Sequence, residues 1–428
     1  MAYLNSLYIG IVVVVIGLVA MFVKNTRNAT YWLLLVMAYL TVIAFDRLVV
    51  GGTGLSPWAT LSSFAVVGYW AVAFDPEQFV NRFVRMVVFL ACVSVVMFTL
   101  QQISPTAVSV LLPTSYDTGW VTGAWSNAYD QVIRTLNPVK GMLLYTYRPF
   151  EPARNVGIFS EPANYQIVLN IALWFVLFMR DKIDAGDHRI RLYAVALVVT
   201  ILTSGSTSGY LVLSVQALLF ILWGASSPLT GTKRTLLSMG TAVIIVLMAD
   251  LTLRGADSVV QTVLINKLFG GGSGLDLSED TGSARVGTIA LSLQSMADNP
   301  LGVGHEAFEL MKSASEEAGG GGGWFAMGAA EGILAFIMIP VWVYLPILKS
   351  SMRPINKVSL LFICIYCSIA QSYTFMPLYV SAAVLCQFCF GGGDSTAPLS
   401  ALRRAADGGA WVNSTRNQMS HVVFRRKM

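Results

Sequence analysis

Apolar runs of about 20 residues, each long enough to cross a hydrocarbon core, recur along nearly the whole chain. They are read near residues 4–23, 31–50, 57–74, 86–104, 162–179, 192–204, 208–224, 235–253, 324–348, 358–374 and 377–391. Inside lipid every backbone N–H and C=O must be satisfied within the chain, so a repeated pattern of this kind folds as helices. Of the 428 residues, 55% are hydrophobic and only 12% are charged, which excludes an ordinary soluble domain. The expected fold class is an all-α polytopic membrane protein with about eleven, between ten and twelve, transmembrane helices and two large periplasmic loops. Its expected parts are N-terminal transmembrane helices (1–104), a first large loop (105–161), central transmembrane helices (162–253) and a second large loop (254–323). C-terminal transmembrane helices (324–391) and a cytoplasmic, disordered, small and basic tail (392–428) complete the chain.

Charge gives the orientation. Lys24, Arg27, Arg82, Arg85, Arg180, Lys182, Arg189, Arg191, Lys233, Arg234, Lys349, Arg353 and Lys357 fall in one set of short loops, and six more basic residues lie in the tail. The opposite short loops hold only Arg47. Basic residues in short loops stay on the cytoplasmic side, so both long loops face outward, the C-terminus is inside and the N-terminus comes out external. The net charge of +5 then reads as topology information, with no nucleic-acid partner implied. Leu4 to Val23 carries no basic lead and no small-residue cleavage site, so no cleavable signal is expected.

Few motifs stand out by chemistry. The five cysteines, Cys92, Cys364, Cys367, Cys386 and Cys389, all lie in apolar runs with no His near, and read as small buried hydrophobes without a metal. The glycine tracts at 270–274 and 319–323 lack the following Lys-Ser/Thr of a nucleotide-binding loop and read as linkers. Asp276, Glu279 and Asp280 read as a solvated loop. In the first long loop, Tyr116, Trp120, Trp125, Tyr129, Tyr145 and Tyr147 form an interfacial belt or stack on sugar rings. The residue types favour the belt.

The stretch from Arg148 to Gln166, RPFEPARNVGIFSEPANYQ, carries two arginines and two Glu-Pro pairs at the edge of an apolar run. A charge at a helix centre in lipid costs roughly 2.5–3.5 kcal/mol on insertion scales, so this grouping is a candidate site. Glu161-Pro162 also suits a plain helix start. Arg148 and Arg154 have no such reading. The polar segment Thr203 to Gly209 joins two short spans, either as backbone lining a cavity or as a tight turn. Later, Arg285 precedes an amphipathic helix ended by Asn299-Pro300, and a Pro-Leu-Gly-Val-Gly turn leads to His305 and Glu306.

Taken together, these three pieces resemble the O-antigen polymerase and ligase superfamily of bacterial inner membranes, over about residues 150–340. An Arg-x-x-Gly-x-Phe-x-Glu-Pro element is carried by Arg154, Gly157, Phe159, Glu161 and Pro162. A Thr-x-Ser-type element lies at Thr203 to Gly209, and an Arg with an Asn-Pro-x-Gly-x-Gly turn at Arg285 and Asn299 to Gly304. In the stretch corresponding to a Leu-x-x-x-Glu-x-Gly helix of the ligase branch Glu331-Gly332 is retained, but glycine stands where that branch has a His. The ligase-type Arg after the second element is also absent, which favours a Wzy-like polymerase over a WaaL-like ligase.

The resemblance implies a metal-independent glycosyl transfer, without cofactor, from an undecaprenyl-pyrophosphate-linked oligosaccharide to a lipid-linked acceptor at the periplasmic face. A chain-length regulator and a flippase would be partners besides the bilayer. Glu161, Arg285 and Arg154 would be catalytic; Arg148, Thr207, Ser208, His305 and Tyr165 would bind substrate. Guanidinium forks pair with phosphate oxygens and stay charged at any relevant pH. A transporter, with Glu161 or Asp250 carrying ions, is the alternative from another class.

Overall fold

The apolar runs that the structure describes are helices. The computed structural model describes residues 12, 15–20, 29–37, 41, 56–112, 140–141, 144–149, 152–159, 161–223, 282–315, 322–370 and 377–390. The proposed run at 235–253, the glycine tract at 270–274, the aromatic residues from Tyr116 to Tyr129 and the basic tail lie outside these residues.

Besides helical residues 15–20 and 29–37, the described chain runs α1 (Ser56–Ala73), α2 (Phe79–Ile103) and α3 (Pro105–Leu111). A small antiparallel pair follows, β1 (Lys140–Gly141) and β2 (Thr146–Tyr147), with Lys140 opposite Tyr147. Then come α4 (Pro162–Phe178), α5 (Asp187–Thr203), α6 (Thr207–Trp223), α7 (Gly282–Asp298), α8 (His305–Ala314) and α9 (Gly323–Glu331). The last elements are α10 (Ile333–Lys349), α11 (Pro354–Ala370) and α12 (Pro377–Phe390). The described protein is thus mostly helical. By length and composition α2 is apolar enough to cross a membrane. Several shorter apolar helices, α4, α10 and α11 among them, accompany it.

Helix α4 is the axis of the packing. It starts at Pro162, whose missing N–H costs nothing at a first helical position and whose fixed φ suits the turn. Tyr165 to Ile167 and Leu169 to Leu177 are buried without interruption, the pattern of a helix enclosed on all sides. It packs on α2, α5, α6 and α11. Phe175 meets Phe79 and Phe83 of α2 edge-on, Phe178 meets Phe220 of α6, and Trp174 Nε1 donates to Ser359 Oγ of α11 at 2.7 Å.

The run read as one span at 324–348 is two helices, α9 and α10, and the break has a clear physical cause. Gly332 between them has φ +91°, a conformation that side chains rarely adopt. The Pro300–Gly304 turn enters the break and satisfies the backbone groups it frees. Val303 N donates to Ala329 O at 3.1 Å, Gly304 N to Ala330 O at 2.9 Å, and Ile333 N to Pro300 O at 2.9 Å. A smaller apolar cluster of Met296, Phe308, Ala326, Ala329 and Ala330 packs α7 and α8 against α9. The segment expected as a loop therefore sits seated in the broken helix.

Candidate functional site

The short polar segment before α4 is held from three sides. Gln101 and Gln102 of α2 both donate Nε2 to Pro152 O, at 2.5 and 2.7 Å, and Tyr145 donates its hydroxyl to Gln101 Oε1 at 2.7 Å. Thr146 N of β2 donates to Gly157 O at 2.6 Å. Asn155, fully buried, ties the segment to the α5–α6 turn: its N donates to Thr203 O at 2.9 Å and its Nδ2 to Thr203 Oγ1 at 3.0 Å. Its Nδ2 also reaches Ser94 Oγ at 3.3 Å, and its Oδ1 accepts from Gly157 N at 3.0 Å. Each amide group of Asn155 is thus engaged, as a buried polar group requires.

This fastening lays Arg154 across the α5–α6 turn. Gly205 has φ +62°, and a Cβ there would lie 3.2 Å from Arg154 Cγ and 3.4 Å from its Nε. A side chain there would crowd the arginine stem by a few tenths of an ångström, in a backbone conformation that L residues rarely adopt. Arg154 Nε donates to Ser204 O at 3.5 Å, the outer limit of a hydrogen bond. The hydroxyl of Tyr210, which donates to Leu202 O at 2.7 Å, lies within electrostatic reach of the guanidinium. So the first and second sequence elements, 50 residues apart, meet in one place. The positive end of the α6 dipole is at the same turn.

Not every candidate residue is at that surface. Tyr165 is 1% exposed, and its hydroxyl pairs with Ser94 Oγ at 2.8 Å. Ser208 is equally deep, between Gln166 Nε2 at 3.4 Å and Ser206 Oγ at 3.0 Å. Both hold the site from beneath. Thr207 is half-buried as the first residue of α6. Arg148 is half-buried just beyond β2. Glu161 occupies the N-cap position of α4 in an extended conformation, and its side chain makes no capping hydrogen bond. Its carbonyl accepts from Asn164 N at 3.2 Å and Tyr165 N at 3.3 Å, so the backbone alone starts the helix.

The third element is built separately. Arg285 belongs to the first turn of α7, which starts at Gly282, ahead of the start expected after Arg285. His305 opens α8 directly after Gly304, whose N–H is bonded into the α9 break. Burial lowers its imidazole pKa below the ordinary 6.5, with Glu309 opposing and Lys312 adding smaller effects, which favours the neutral ring. Glu331, 9% exposed, ends α9 one residue past the Gly304–Ala330 hydrogen bond. Its carboxylate lies at the negative end of that helix, a position that a surface Glu would avoid. No three His, Cys, Asp or Glu side chains group as a metal would need among the described residues.

The residues that sequence reading passed over are the neutral amides. Asn155, Gln166, Asn170 and Gln216 are all buried and hydrogen-bonded around the turn. Their signal was present: Gln166 and Asn170 stand four apart, one helix turn, inside an otherwise apolar run. Comparisons with protein-family models, with curated proteins and with solved structures find no match for this chain.

Proposed function

We propose that the chain is a membrane-embedded glycosyltransferase of the O-antigen polymerase type, spanning the bacterial inner membrane with its site at the periplasmic face. Its donor would be an undecaprenyl-pyrophosphate-linked oligosaccharide and its acceptor a hydroxyl of another lipid-linked glycan. The observation that carries this reading is the passage of Arg154 over Gly205 to the Ser204 carbonyl. It joins a fixed positive charge to a hydroxyl-rich turn and a helix start, a combination suited to a phosphate.

In the reaction the acceptor oxygen forms a bond to the anomeric carbon while the bond from that carbon to pyrophosphate breaks. The leaving lipid pyrophosphate takes the electron pair, and Arg154 meets the charge as it develops, with Arg285 and Arg148 as further guanidinium groups. The acceptor proton goes to Glu161, whose side chain is not used in capping, or to the neutral imidazole of His305. The test is incubation of purified protein with the lipid-pyrophosphate-linked oligosaccharide: a ladder of longer glycans is expected. Transfer to a lipid A-core acceptor without a ladder would make it a ligase.

One observation favours a transporter instead, the broken helix at Gly332 with Glu331 beside it. A transporter needs its site reachable from both sides of the membrane, whereas the transferase needs access from one.

A further inference from the structure

A chain of hydrogen bonds begins inside α6 and ends at the turn beneath Arg154, and chemistry fixes its direction. Asn170 of α4 faces three carbonyl oxygens: Gln166 O at 2.9 Å, Gln166 Oε1 at 3.0 Å and Gly209 O at 3.5 Å. Carbonyl oxygens only accept, and two of these belong to the backbone and cannot turn, so Asn170 must present its NH2 to them. Its Oδ1 therefore faces Gln216, which must answer with Nε2, at 2.9 Å. Gln166, its Oε1 taken by Asn170, offers Nε2 to Ser208 Oγ at 3.4 Å. Ser208 and Ser206 then share one hydrogen bond of 3.0 Å.

Counting donors and acceptors leaves a remainder. Ser208 Oγ already accepts from Gln166, so its own proton needs an acceptor, and the oxygen in reach is Ser206 Oγ. Whichever way the two hydroxyls turn, one proton of the pair has no acceptor among the described residues. The five side chains are at most 3% exposed, where an unmet donor is costly. Ser208 lies on the face of α6 turned to Gln166, whereas Ser206 precedes the helix and follows Gly205, over which Arg154 lies. Ser206 is as buried as Ser208, at 3% and 2% exposed, and of the two hydroxyls it is the one beside Gly205 in the chain.

We propose that Ser206 is a further binding residue of this site, donating its hydroxyl proton to an oxyanion of the pyrophosphate held by Arg154. Gln216, Asn170, Gln166 and Ser208 are positioning residues that set the direction of that proton. The inference rests on the site being a pyrophosphate site. A terminus of this kind takes a group that only accepts, as a phosphate oxyanion does. The anion's source is either the lipid-linked donor or free pyrophosphate, which share this chemistry.

The test is calorimetric titration of the full chain in phosphatidylcholine nanodiscs, with inorganic pyrophosphate in one arm and undecaprenyl pyrophosphate in the other. Ser206→Ala should weaken binding by about tenfold or more, the scale of one hydrogen bond to a charged group, and Ser206→Thr should restore it. Weakening in both arms makes the headgroup sufficient; weakening in the lipid arm alone ties the site to the lipid-linked donor. Ser208→Ala should cost a few-fold, and Ser206→Ala/Ser208→Ala should be no worse than Ser206→Ala, because Ser208 acts only through Ser206. If Ser206→Ala does not fold, Ser206→Cys carries the same expectation. Wild-type affinity in the Ser206 variant, additive losses in the double variant, or no binding by the wild type in either arm would overturn the inference. Ser206-dependent binding without a glycan ladder would remove the polymerase reading and leave this one standing.

Discussion

In the proposed reaction Arg154 meets the developing charge, and its neighbours define how that role can be tested. A lysine would keep the charge but lose the planar fork that grips two phosphate oxygens at once. Arg154→Lys and Arg285→Lys should each lower polymerisation by about a hundredfold, as removing one oxyanion donor does elsewhere, with expression unchanged. Wild-type rates in both variants, measured as ladder formation over time, would remove the two arginines from the proposed mechanism. Glu161→Gln should abolish chain growth while leaving donor binding intact, because the side chain caps nothing and the backbone starts α4 without it. Long polymer from that variant would reduce Glu161 to a helix start. His305 gives a pH signature. Its folded pKa is depressed by burial, so below 6.5 the unfolded chain binds more protons than the folded one. The stability it contributes is complete above 6.5 and is lost as pH falls through the folded value. Acidification from about pH 7.5 to about pH 5 should therefore lower the melting temperature of the wild type more than that of His305→Asn. Equal shifts would show that this imidazole is not the sensitive group.

At the scale of elements, the junction of α9 and α10 is the most specific construction in the molecule. A Cβ on Gly332 would lie 2.7 Å from Leu301 C and 2.8 Å from both Leu301 O and Pro300 O, all backbone atoms that cannot step aside. Together with its positive φ, this makes Gly332→Ala a strained substitution worth about 1–3 kcal/mol. Thermal unfolding should show that loss, and the activity lost with it should exceed the loss in Gly186→Ala, where a Cβ would meet nothing. The break was not legible in the sequence. Gly332 stands inside the run GAAEGILAF, and a glycine in a largely apolar run is compatible with a continuous helix. What decides the matter is the Pro300–Gly304 turn arriving from 30 residues away, and periodicity carries no trace of it. The α5–α6 turn was legible, because hydroxyls and glycines interrupt an apolar pattern there. Its partner Arg154 was legible too, as a charge beside an apolar run and through the family resemblance carried by Gly157, Phe159 and Glu161. The amide chain was half visible. Gln166 and Asn170 mark one face of α4, but pairing Asn170 with Gln216 requires knowing how α6 is rotated.

For the whole molecule the charge distribution makes a prediction of orientation. Ala153 is exposed before α4 and His188 is exposed after it, so a single helix separates them. Cysteine at position 153 should react with an impermeant thiol reagent added to intact cells. Cysteine at 188 should react only after permeabilisation, because Arg180, Lys182, Arg189 and Arg191 surround it with cytoplasmic-side charge. Reversal of the two patterns would put the Arg154 turn on the wrong side for a lipid-linked donor. The enclosure of α4 also matters at this scale. Because Asn155 ties the segment bearing Arg154 to the α5–α6 turn, and Ser208 and Gly209 tie that turn to the enclosed helix α4, the proposed site is preformed and donor binding should bring little ordering of the backbone.

The turn seated in the α9–α10 break has a consequence for covalent continuity. Residues 282–315 are joined to α9 and α10 by three backbone hydrogen bonds and by the Met296–Phe308–Ala329 cluster, not only by the peptide chain that runs on to Gly322. A cut anywhere between Ser315 and Gly322 would leave those bonds in place. The protein should therefore tolerate being made as two polypeptides divided there, each bringing one side of the joint, and the halves should co-purify and behave as the uncut chain does.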